Sequence, residues 1–151
     1  MVRVSSRAII IKDNKLVLMF RNRHGKIYYV TPGGGVNDGE TPKQCVIREV
    51  EEEFGIIAKP LKKLYIYKDA GTTQHYYLCE WIGGQFATGK GEEFENNDPE
   101  NIFIPKLVPI EELKNLPLVP PEIKNKLIED LKNGFENKTI TIKGLYEGKW
   151  K

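Results

Sequence analysis

The chain has few cysteines, little net charge and no long hydrophobic run. Two cysteines among 151 residues are too few for a disulfide framework or a cysteine-based metal cluster. The 23 basic and 21 acidic residues leave a formal charge of +2, which makes nucleic acid an unlikely partner. The longest apolar runs, Ala8–Ile11 and Leu16–Phe20, are too short to span a bilayer. We therefore expect no membrane partner.

The N-terminal residues do not resemble a signal peptide, because no extended apolar stretch is followed by small residues. Together with the scarcity of cysteine, this predicts a cytoplasmic protein. A length of 151 residues fits one compact domain, residues 1–151, rather than two.

The first third of the chain predicts three strands, Val2–Ile11, Leu16–Arg23 and Lys26–Thr31. The run Thr31-Pro32-Gly33-Gly34-Gly35 then breaks the pattern. Proline lacks an N–H donor and glycine has no side chain to pack, so this run is not expected to continue a central strand. We expect a glycine-rich loop here.

A helix is predicted directly after this loop. Thr41 suits the N-cap, Pro42 suits the first turn, and Gln44 completes a capping box. Gly55 is placed to end the helix, which gives Pro42–Phe54. The expected core face consists of Val46, Ile47, Val50 and Phe54.

The remainder alternates between strands, one long loop and two helices. Polar residues dominate 83–100, which we interpret as a functional loop because structureless loops of that length are uncommon. The tail, residues 138–151, alternates as an edge strand would, but its docking is not predicted. The other predicted elements are the strands Ile56–Tyr67, Gln74–Ile82 and Asn101–Val108 and the helices Ile110–Leu116 and Glu122–Gly134.

Three carboxylates share one face of the predicted helix, because Glu49, Glu52 and Glu53 stand at i, i+3 and i+4. Like charges at this spacing repel, and a bound divalent cation would offset that repulsion. Carboxylate oxygens favour hard cations such as Mg²⁺ or Mn²⁺. Beside them, the glycine-rich loop can bring backbone N–H groups close to a phosphate. Taken separately, each feature has a plainer interpretation: a solvated helix face and a tight turn.

Taken together, these residues resemble the Nudix box, Gx5Ex7REUxEExGU, in which U is aliphatic. Nine specified positions match at fixed spacing over the 23 residues from Gly34 to Ile56. The matching residues are Gly34, Glu40, Arg48, Glu49, Val50, Glu52, Glu53, Gly55 and Ile56. The surrounding strand order and the Pro-Gly-Gly entry extend the resemblance to about residues 2–135. The chain is therefore identified as a member of the Nudix hydrolase family.

The resemblance implies an α/β Nudix fold, a mixed β-sheet sandwiched between helices. It also implies that Glu49, Glu52 and Glu53 bind a divalent metal, Mg²⁺ or Mn²⁺. Arg48 resembles the arginine that orients the box glutamates, and its i, i+4 spacing to Glu52 suits that role. Glu40 corresponds to a glutamate that supports the geometry of the loop and helix.

Further site residues are expected outside the helix. Many members carry an additional metal-binding glutamate on a loop, and Glu92 and Glu93 stand in the long polar loop; Glu93 is preferred. Arg21 and Arg23 alternate along a predicted strand and share a face, so they either contact substrate phosphates or form a solvated edge. With them we group Gly33, Gly34 and Gly35 as substrate-binding residues.

The implied activity is metal-dependent hydrolysis of a phosphoanhydride in a nucleoside diphosphate derivative. The chain looks most like small bacterial members that sanitise nucleotides, so the preferred substrate is a nucleoside triphosphate, with or without an oxidised base, cleaved to monophosphate and pyrophosphate. Dinucleoside polyphosphates, ADP-ribose and RNA 5′ ends remain alternatives. So does a ligand-sensing module without turnover, although such domains typically lose box glutamates. The sequence leaves a homodimer open.

Overall fold

A computed structural model describes residues 3–87 and 98–145 of the chain. Within these residues, eight strands form one mixed sheet, with a first α-helix between the fourth and fifth strands and a second before the eighth. The elements are β1 (Arg3–Lys12), β2 (Lys15–Arg23), β3 (Lys26–Val30), β4 (Gly33–Gly35), α1 (Pro42–Phe54), β5 (Ile56–Asp69), β6 (Thr72–Gly84), β7 (Asn101–Pro109), a 3₁₀ helix (Ile110–Asn115), α2 (Pro121–Asn133) and β8 (Ile140–Lys143).

The strand order β3-β2-β1-β6-β5-β8 brings distant parts of the chain together. β1 and β6 run parallel, whereas β2 pairs antiparallel with both β3 and β7. β1 and β2 pair only next to their hairpin turn, at Ile11↔Leu16 and Lys12↔Lys15. The sheet therefore opens into two diverging halves beyond that turn.

The two α-helices cover opposite faces of the sheet. Alternate residues of β1 contribute to separate cores, because successive side chains of a strand point to opposite faces. Ala8 and Ile10 pack in the core that contains Val50 of α1, whereas Ile9 packs in the core that contains Leu127 of α2. The prediction of a mixed sheet between helices is confirmed.

The glycine run differs from the prediction, because Gly33–Gly35 forms strand β4 rather than a loop. It pairs antiparallel with Ser5, Ser6 and Arg7 of β1. β2 pairs with β1 only near their turn, so the backbone N–H and C=O groups of Ser5–Arg7 have no partner in β2. β4 supplies that partner. Glycine suits this position, since a Cβ atom on Gly33 would overlap the carbonyl oxygen of Ser6.

One core assignment on α1 was also wrong. Ile47 is 37% exposed, whereas Cys45 and Glu53 are buried beside Val46, Val50 and Phe54. Within the tail, Ile140–Lys143 forms the edge strand β8, as its alternation indicates, and β8 pairs parallel with β5. Residues 146–151 of the tail lie outside the described residues. Among residues 3–87 and 98–145, no helix is long and apolar enough to cross a membrane.

Candidate active site

Helix α1 carries the predicted carboxylates, and local interactions fix both of its ends. The Thr41 side chain accepts a hydrogen bond from the Gln44 N–H at 3.1 Å, and the Gln44 side chain accepts from the Thr41 N–H at 2.9 Å. This capping box satisfies two N–H groups at the start of the helix. Gly55 ends the helix in a left-handed conformation with φ of 72°. The helix therefore has the predicted bounds, Pro42–Phe54.

The three carboxylates of α1 lie in different environments. Glu53 is only 8% exposed, and its Oε1 accepts a hydrogen bond from the Gly33 N–H at 2.9 Å. Glu49 Oε1 accepts from Arg48 Nη1 at 2.9 Å. The Glu52 side chain is 48% exposed, and its Oε2 accepts from the same nitrogen at 3.2 Å. Glu49 and Glu52 therefore approach one another around a single guanidinium nitrogen.

Arg48 joins the helix to the segment before it. Its Nε and Nη2 donate to the two oxygens of Glu40 at 2.7 and 3.0 Å, a bidentate pair. Nη2 also donates to the carbonyl oxygen of Gly35 at 3.2 Å. These contacts with Arg48 lower the pKa of Glu40 to about 2, and the same contacts raise the pKa of Arg48. Arg48 thus holds α1, β4 and Glu40 in one arrangement.

Strand β4 lies directly against the carboxylates. A Cβ atom built on Gly34 would lie 2.6 Å from Cδ of Glu49. A side chain on residue 34 would overlap the Glu49 carboxylate, so glycine allows this carboxylate to lie against the backbone of β4. On the preceding residue, the Gly33 N–H donates a hydrogen bond to Glu53 Oε1. The glycines therefore position two carboxylates.

A cavity of about 390 Å³ opens in front of β4, between the two diverging halves of the sheet. Its volume is typical of a small-molecule site. Two carboxylates of α1 and four arginines contribute to the wall, so the cavity combines anionic groups at one side with a cationic lining elsewhere. The lining residues are Arg3, Ser5, Arg7, Met19, Arg21, Arg23, Tyr28, Val30, Gly33, Gly34, Gly35, Glu49, Glu53, Thr72, Gln74 and Phe103.

The structure brings most of the predicted site residues to this cavity. Glu49, Glu53, the three glycines, Arg21 and Arg23 all line it. Arg48, Glu40 and Glu52 are outside the lining, but Arg48 links the last two to Glu49. Glu92 and Glu93 lie outside the described residues.

Several cavity residues were missed in the sequence, above all Arg7. Its Nε donates to Gln74 Oε1 at 3.0 Å, and its Nη1 donates to the Thr31 carbonyl oxygen at 2.9 Å. Both partners are neutral, so these bonds orient the guanidinium without neutralising it. The signal was the alternation of Arg3, Ser5 and Arg7 along β1, which places three polar side chains on one face of the strand. Gln74 and Thr72 reach the cavity through the parallel pairing of β6 with β1, which no local pattern reveals.

The donor chemistry of α1 fits a hard divalent cation. Glu49, Glu52 and Glu53 supply only carboxylate oxygens, the ligands that Mg²⁺ and Mn²⁺ prefer. In the part of the chain that the structure describes, no three His, Cys, Asp or Glu side chains are gathered closely enough to form a metal site. Contacts with Arg48 and the Gly33 N–H occupy oxygens of these glutamates instead. A bound cation would have to draw the three carboxylates together.

The sequence matches the family model of the NUDIX domain over residues 1–131. The chain belongs to the Nudix family. A crystal structure of a Nudix hydrolase from Nitrosomonas europaea superposes with a TM-score of 0.70 at 17% identity and covers 94% of this chain and 79% of that chain. At that identity the likeness shows the fold, which agrees with the mixed sheet and its two layers of helices.

Curated relatives of this Nudix chain bear different names. An ADP-ribose pyrophosphatase from Methanocaldococcus jannaschii is 37% identical over 112 residues, which cover 69% of this chain and 65% of that protein. An 8-oxo-dGTP diphosphatase from Haemophilus influenzae is 33% identical over 104 residues, which cover 54% of this chain and 76% of that protein. An RNA pyrophosphohydrolase from Actinobacillus succinogenes is 38% identical over 60 residues, which cover 40% of this chain and 30% of that protein.

The chain spans less than two thirds of the length of two of these relatives, the archaeal protein and the Actinobacillus protein. All three relatives are named as hydrolases of phosphoanhydride bonds. Nudix hydrolases generally need divalent metal ions, which agrees with the carboxylate chemistry of α1.

Proposed function

We propose that this chain is an enzyme that hydrolyses a phosphoanhydride bond in a nucleoside diphosphate derivative and depends on a divalent metal. The observation that carries the proposal is the cavity, whose lining combines Glu49 and Glu53 of α1 with four arginines of β1 and β2. Carboxylates can hold a cation, and arginines can bind the phosphates on which that cation acts. A cavity lined by so many charged side chains does not suit a neutral metabolite.

The residues that the sequence singles out have proposed roles in that reaction. Glu49, Glu52 and Glu53 would hold Mg²⁺, or Mn²⁺ in its place, and Glu93 is proposed as a further ligand. When bound, the ion neutralises phosphate charge and activates water. Arg48 orients the glutamates, and Glu40 fixes Arg48 through their bidentate pair.

Backbone and cationic groups complete the proposed site. Gly33, Gly34 and Gly35 place the backbone of β4 beside the phosphates. Arg7 pairs with Gly33 across β1 and β4, and it binds phosphate oxygens together with Arg21 and Arg23 of β2. The water oxygen bonds to one phosphorus while the bond from that phosphorus to the bridging oxygen breaks. The other phosphoryl group leaves with the bridging oxygen, and a glutamate accepts one proton of the water. Glu49 is our candidate for that base among the described residues because it lines the cavity.

We propose a nucleoside triphosphate, including one with an oxidised base, as the substrate, which gives a nucleoside monophosphate and pyrophosphate. Four arginines against two carboxylates give the described lining an excess of positive charge. A triphosphate carries roughly twice the negative charge of an ADP-ribose diphosphate, so it complements this lining better. The similarity to an 8-oxo-dGTP diphosphatase also supports this choice.

ADP-ribose is the second candidate, since the archaeal relative named for that activity matches over the longest stretch of the three, 112 residues. RNA 5′ ends are less favoured, because the corresponding match is confined to 60 residues. Two buried free thiols, Cys45 and Cys79, support a cytoplasmic location. The pairing of β8 with β5 supports a single domain over residues 1–151.

A substrate panel tests the proposal. Purified protein is incubated with Mg²⁺ or Mn²⁺ and, separately, with nucleoside triphosphates, 8-oxo-dGTP, ADP-ribose, a dinucleoside polyphosphate and a 5′-triphosphorylated RNA. Released phosphate and pyrophosphate are measured. We expect the triphosphates to give the highest kcat/KM and pyrophosphate as product. Preference for ADP-ribose would overturn the substrate choice, and no turnover of any compound would overturn the enzymatic assignment.

A further inference from the structure

Two arginines beside the glutamates of α1 have different kinds of hydrogen-bond partner. Arg48 donates to the carboxylates of Glu40 and Glu49, so its charge is balanced within the chain. Arg7 of β1 donates instead to the side-chain amide of Gln74 and to a backbone carbonyl, both neutral. In the part of the chain that the structure describes, no carboxylate forms an ion pair with Arg7. The fold therefore orients Arg7 and leaves its positive charge unbalanced.

Gln74 is buried, at 2% exposure, and contacts Arg7 through the pairing of two strands. β6 runs parallel to β1, and Gln74 pairs with Ser5, two residues before Arg7. The Oε1 atom of Gln74 accepts from Arg7 Nε at 3.0 Å. On the other side, the carbonyl oxygen of the buried Thr31 accepts from Arg7 Nη1 at 2.9 Å. Two buried acceptors on separate segments thus fix two of the three guanidinium nitrogens.

The stem of Arg7 is also closely packed. Arg7 pairs with Gly33 of β4, and a Cβ atom on Gly33 would lie 2.8 Å from Arg7 Cδ. The Gly33 N–H in turn donates to Glu53 Oε1. Arg7 therefore lies against the glycine that binds a carboxylate of α1, and it lines the same cavity. Among residues 3–87 and 98–145, its third nitrogen, Nη2, has no hydrogen-bond partner, so it can donate to a ligand.

The neutrality of residue 74 affects what Arg7 can bind. A glutamate there would have nearly the same shape and could accept the same hydrogen bond, but its carboxylate would balance the charge of Arg7 and repel an anion. Glutamine provides the acceptor without that charge. The neighbouring Tyr76 is neutral as well, because burial raises its pKa to about 12. Arg7 is therefore oriented by neutral groups, and its attraction for an anionic ligand is retained.

We propose that Gln74 is a positioning residue for phosphate binding: it sets the orientation of Arg7 and, because it is neutral, leaves the charge of Arg7 to the ligand. The inference rests on the proposed function for its ligand class, a polyphosphate. The effect of Gln74 on binding passes through Arg7, whereas Arg7 itself contacts the phosphate.

A double-mutant cycle of Arg7 and Gln74 tests this role without turnover. The probe is inorganic tripolyphosphate in the presence of Mg²⁺, and calorimetry gives its Kd for wild type, Gln74→Leu, Arg7→Met and the double variant. Gln74→Leu removes the acceptor at similar size, and Arg7→Met removes the guanidinium but keeps an unbranched stem. Gln74→Glu is measured as well, because it keeps both shape and acceptor. Thermal unfolding shows whether each variant is folded.

We expect Gln74→Leu to raise Kd at least about tenfold, the scale of one hydrogen bond to a charged group. In the Arg7→Met protein, the same substitution should change Kd less than about twofold, because no guanidinium is left to orient. Gln74→Glu should also raise Kd at least about tenfold, although it retains the acceptor. Gln85→Leu and Gln85→Glu are the matched controls and should not change Kd, since Gln85 is exposed and lies outside the cavity lining.

Steady-state kinetics on the preferred compound of the substrate panel give a second measurement. In Gln74→Leu, KM should rise and kcat should stay within about threefold of the wild type, because Arg7 holds the phosphate both before and during the reaction. A fall in kcat with unchanged KM would overturn the proposal, since Gln74 would then act on the chemical step.

The cycle itself can also overturn the proposal. Equal effects of Gln74→Leu with and without the guanidinium of Arg7 would show that Gln74 acts independently of it. Unchanged binding in folded Gln74→Glu would show that a neutral partner is not required. Hydrolysis is judged separately by the substrate panel: if the panel fails but the cycle shows the coupling, the positioning role stands without the enzymatic assignment. If the panel succeeds without the coupling, only the positioning role fails.

Discussion

Gly34 is the glycine that lies directly against the Glu49 carboxylate. Since a Cβ atom there would meet the Glu49 carboxylate at 2.6 Å, Gly34→Ala must displace Glu49 or bend β4. A Cβ atom on Gly35 would meet nothing within 4 Å. We expect Gly34→Ala to lower kcat at least about tenfold more than Gly35→Ala, because a small displacement of a catalytic group is costly. Steady-state kinetics of both variants test this.

Circular dichroism should show that both glycine variants keep the fold. The difference in kcat then reflects the position of the added methyl group and not a loss of folded protein. Similar kcat values in the two variants would contradict the close approach of Gly34 and Glu49 as the reason for this glycine.

Glu40 provides a prediction about acid stability. Its folded-state pKa of about 2 lies below the ordinary value of 4.5, chiefly because of Arg48. A lowered carboxyl pKa stabilises the fold above the unfolded-state pKa, and that contribution is lost as the pH falls from about 4.5 towards 2. We therefore expect wild type to be more stable than Glu40→Gln at pH 7 and this advantage to shrink below pH 4.5.

Urea unfolding of the wild type and Glu40→Gln at several pH values measures that difference. A free-energy difference that stays constant from pH 7 to pH 3 would show that Arg48 does not hold the carboxylate as described.

At the scale of elements, α1 depends on its first turn for its position beside β4. Thr41→Ala removes the hydroxyl that accepts from the Gln44 N–H. We expect a loss of about 1 kcal/mol in the free energy of unfolding, the usual cost of a lost N-cap. Thr41→Ser keeps the acceptor and should retain most of that stability. Urea unfolding at pH 7 compares the three proteins, and equal losses in both variants would contradict the capping role.

The accuracy of the sequence-based predictions differed between elements for physical reasons. Helix α1 was predicted to its exact bounds because its cap, its proline and its terminal glycine are local signals. Strand β4 was missed because three glycines carry no alternating pattern, and its pairing depends on how β1 and β2 diverge. Ile47 was wrongly assigned to the core because it is hydrophobic. The buried face of α1 includes Cys45 and the polar Glu53 instead, which a pattern of hydrophobic residues does not reveal.

At the scale of the whole molecule, the box predicted α1 and the glycine run as one side of the site, but not the other walls of the cavity. Arg21 and Arg23 were predicted from strand alternation within β2. Arg3, Thr72 and Gln74 were not, because only the parallel pairing of β1 and β6 brings them to the same wall. Phe103 joins through the non-local pairing of β7 with β2.

The central claim is that carboxylates of α1 support metal-dependent hydrolysis, and Glu53→Gln tests it most directly. The amide oxygen of glutamine can still accept from the Gly33 N–H, so the fold should be retained. The measurement is kcat on the preferred compound of the substrate panel, with Mg²⁺ and with EDTA, for wild type and variant. We expect wild-type activity to vanish in EDTA and return with Mg²⁺, and kcat of Glu53→Gln to fall at least about 100-fold. Full wild-type turnover in EDTA, or an unchanged kcat in the folded variant, would contradict the account.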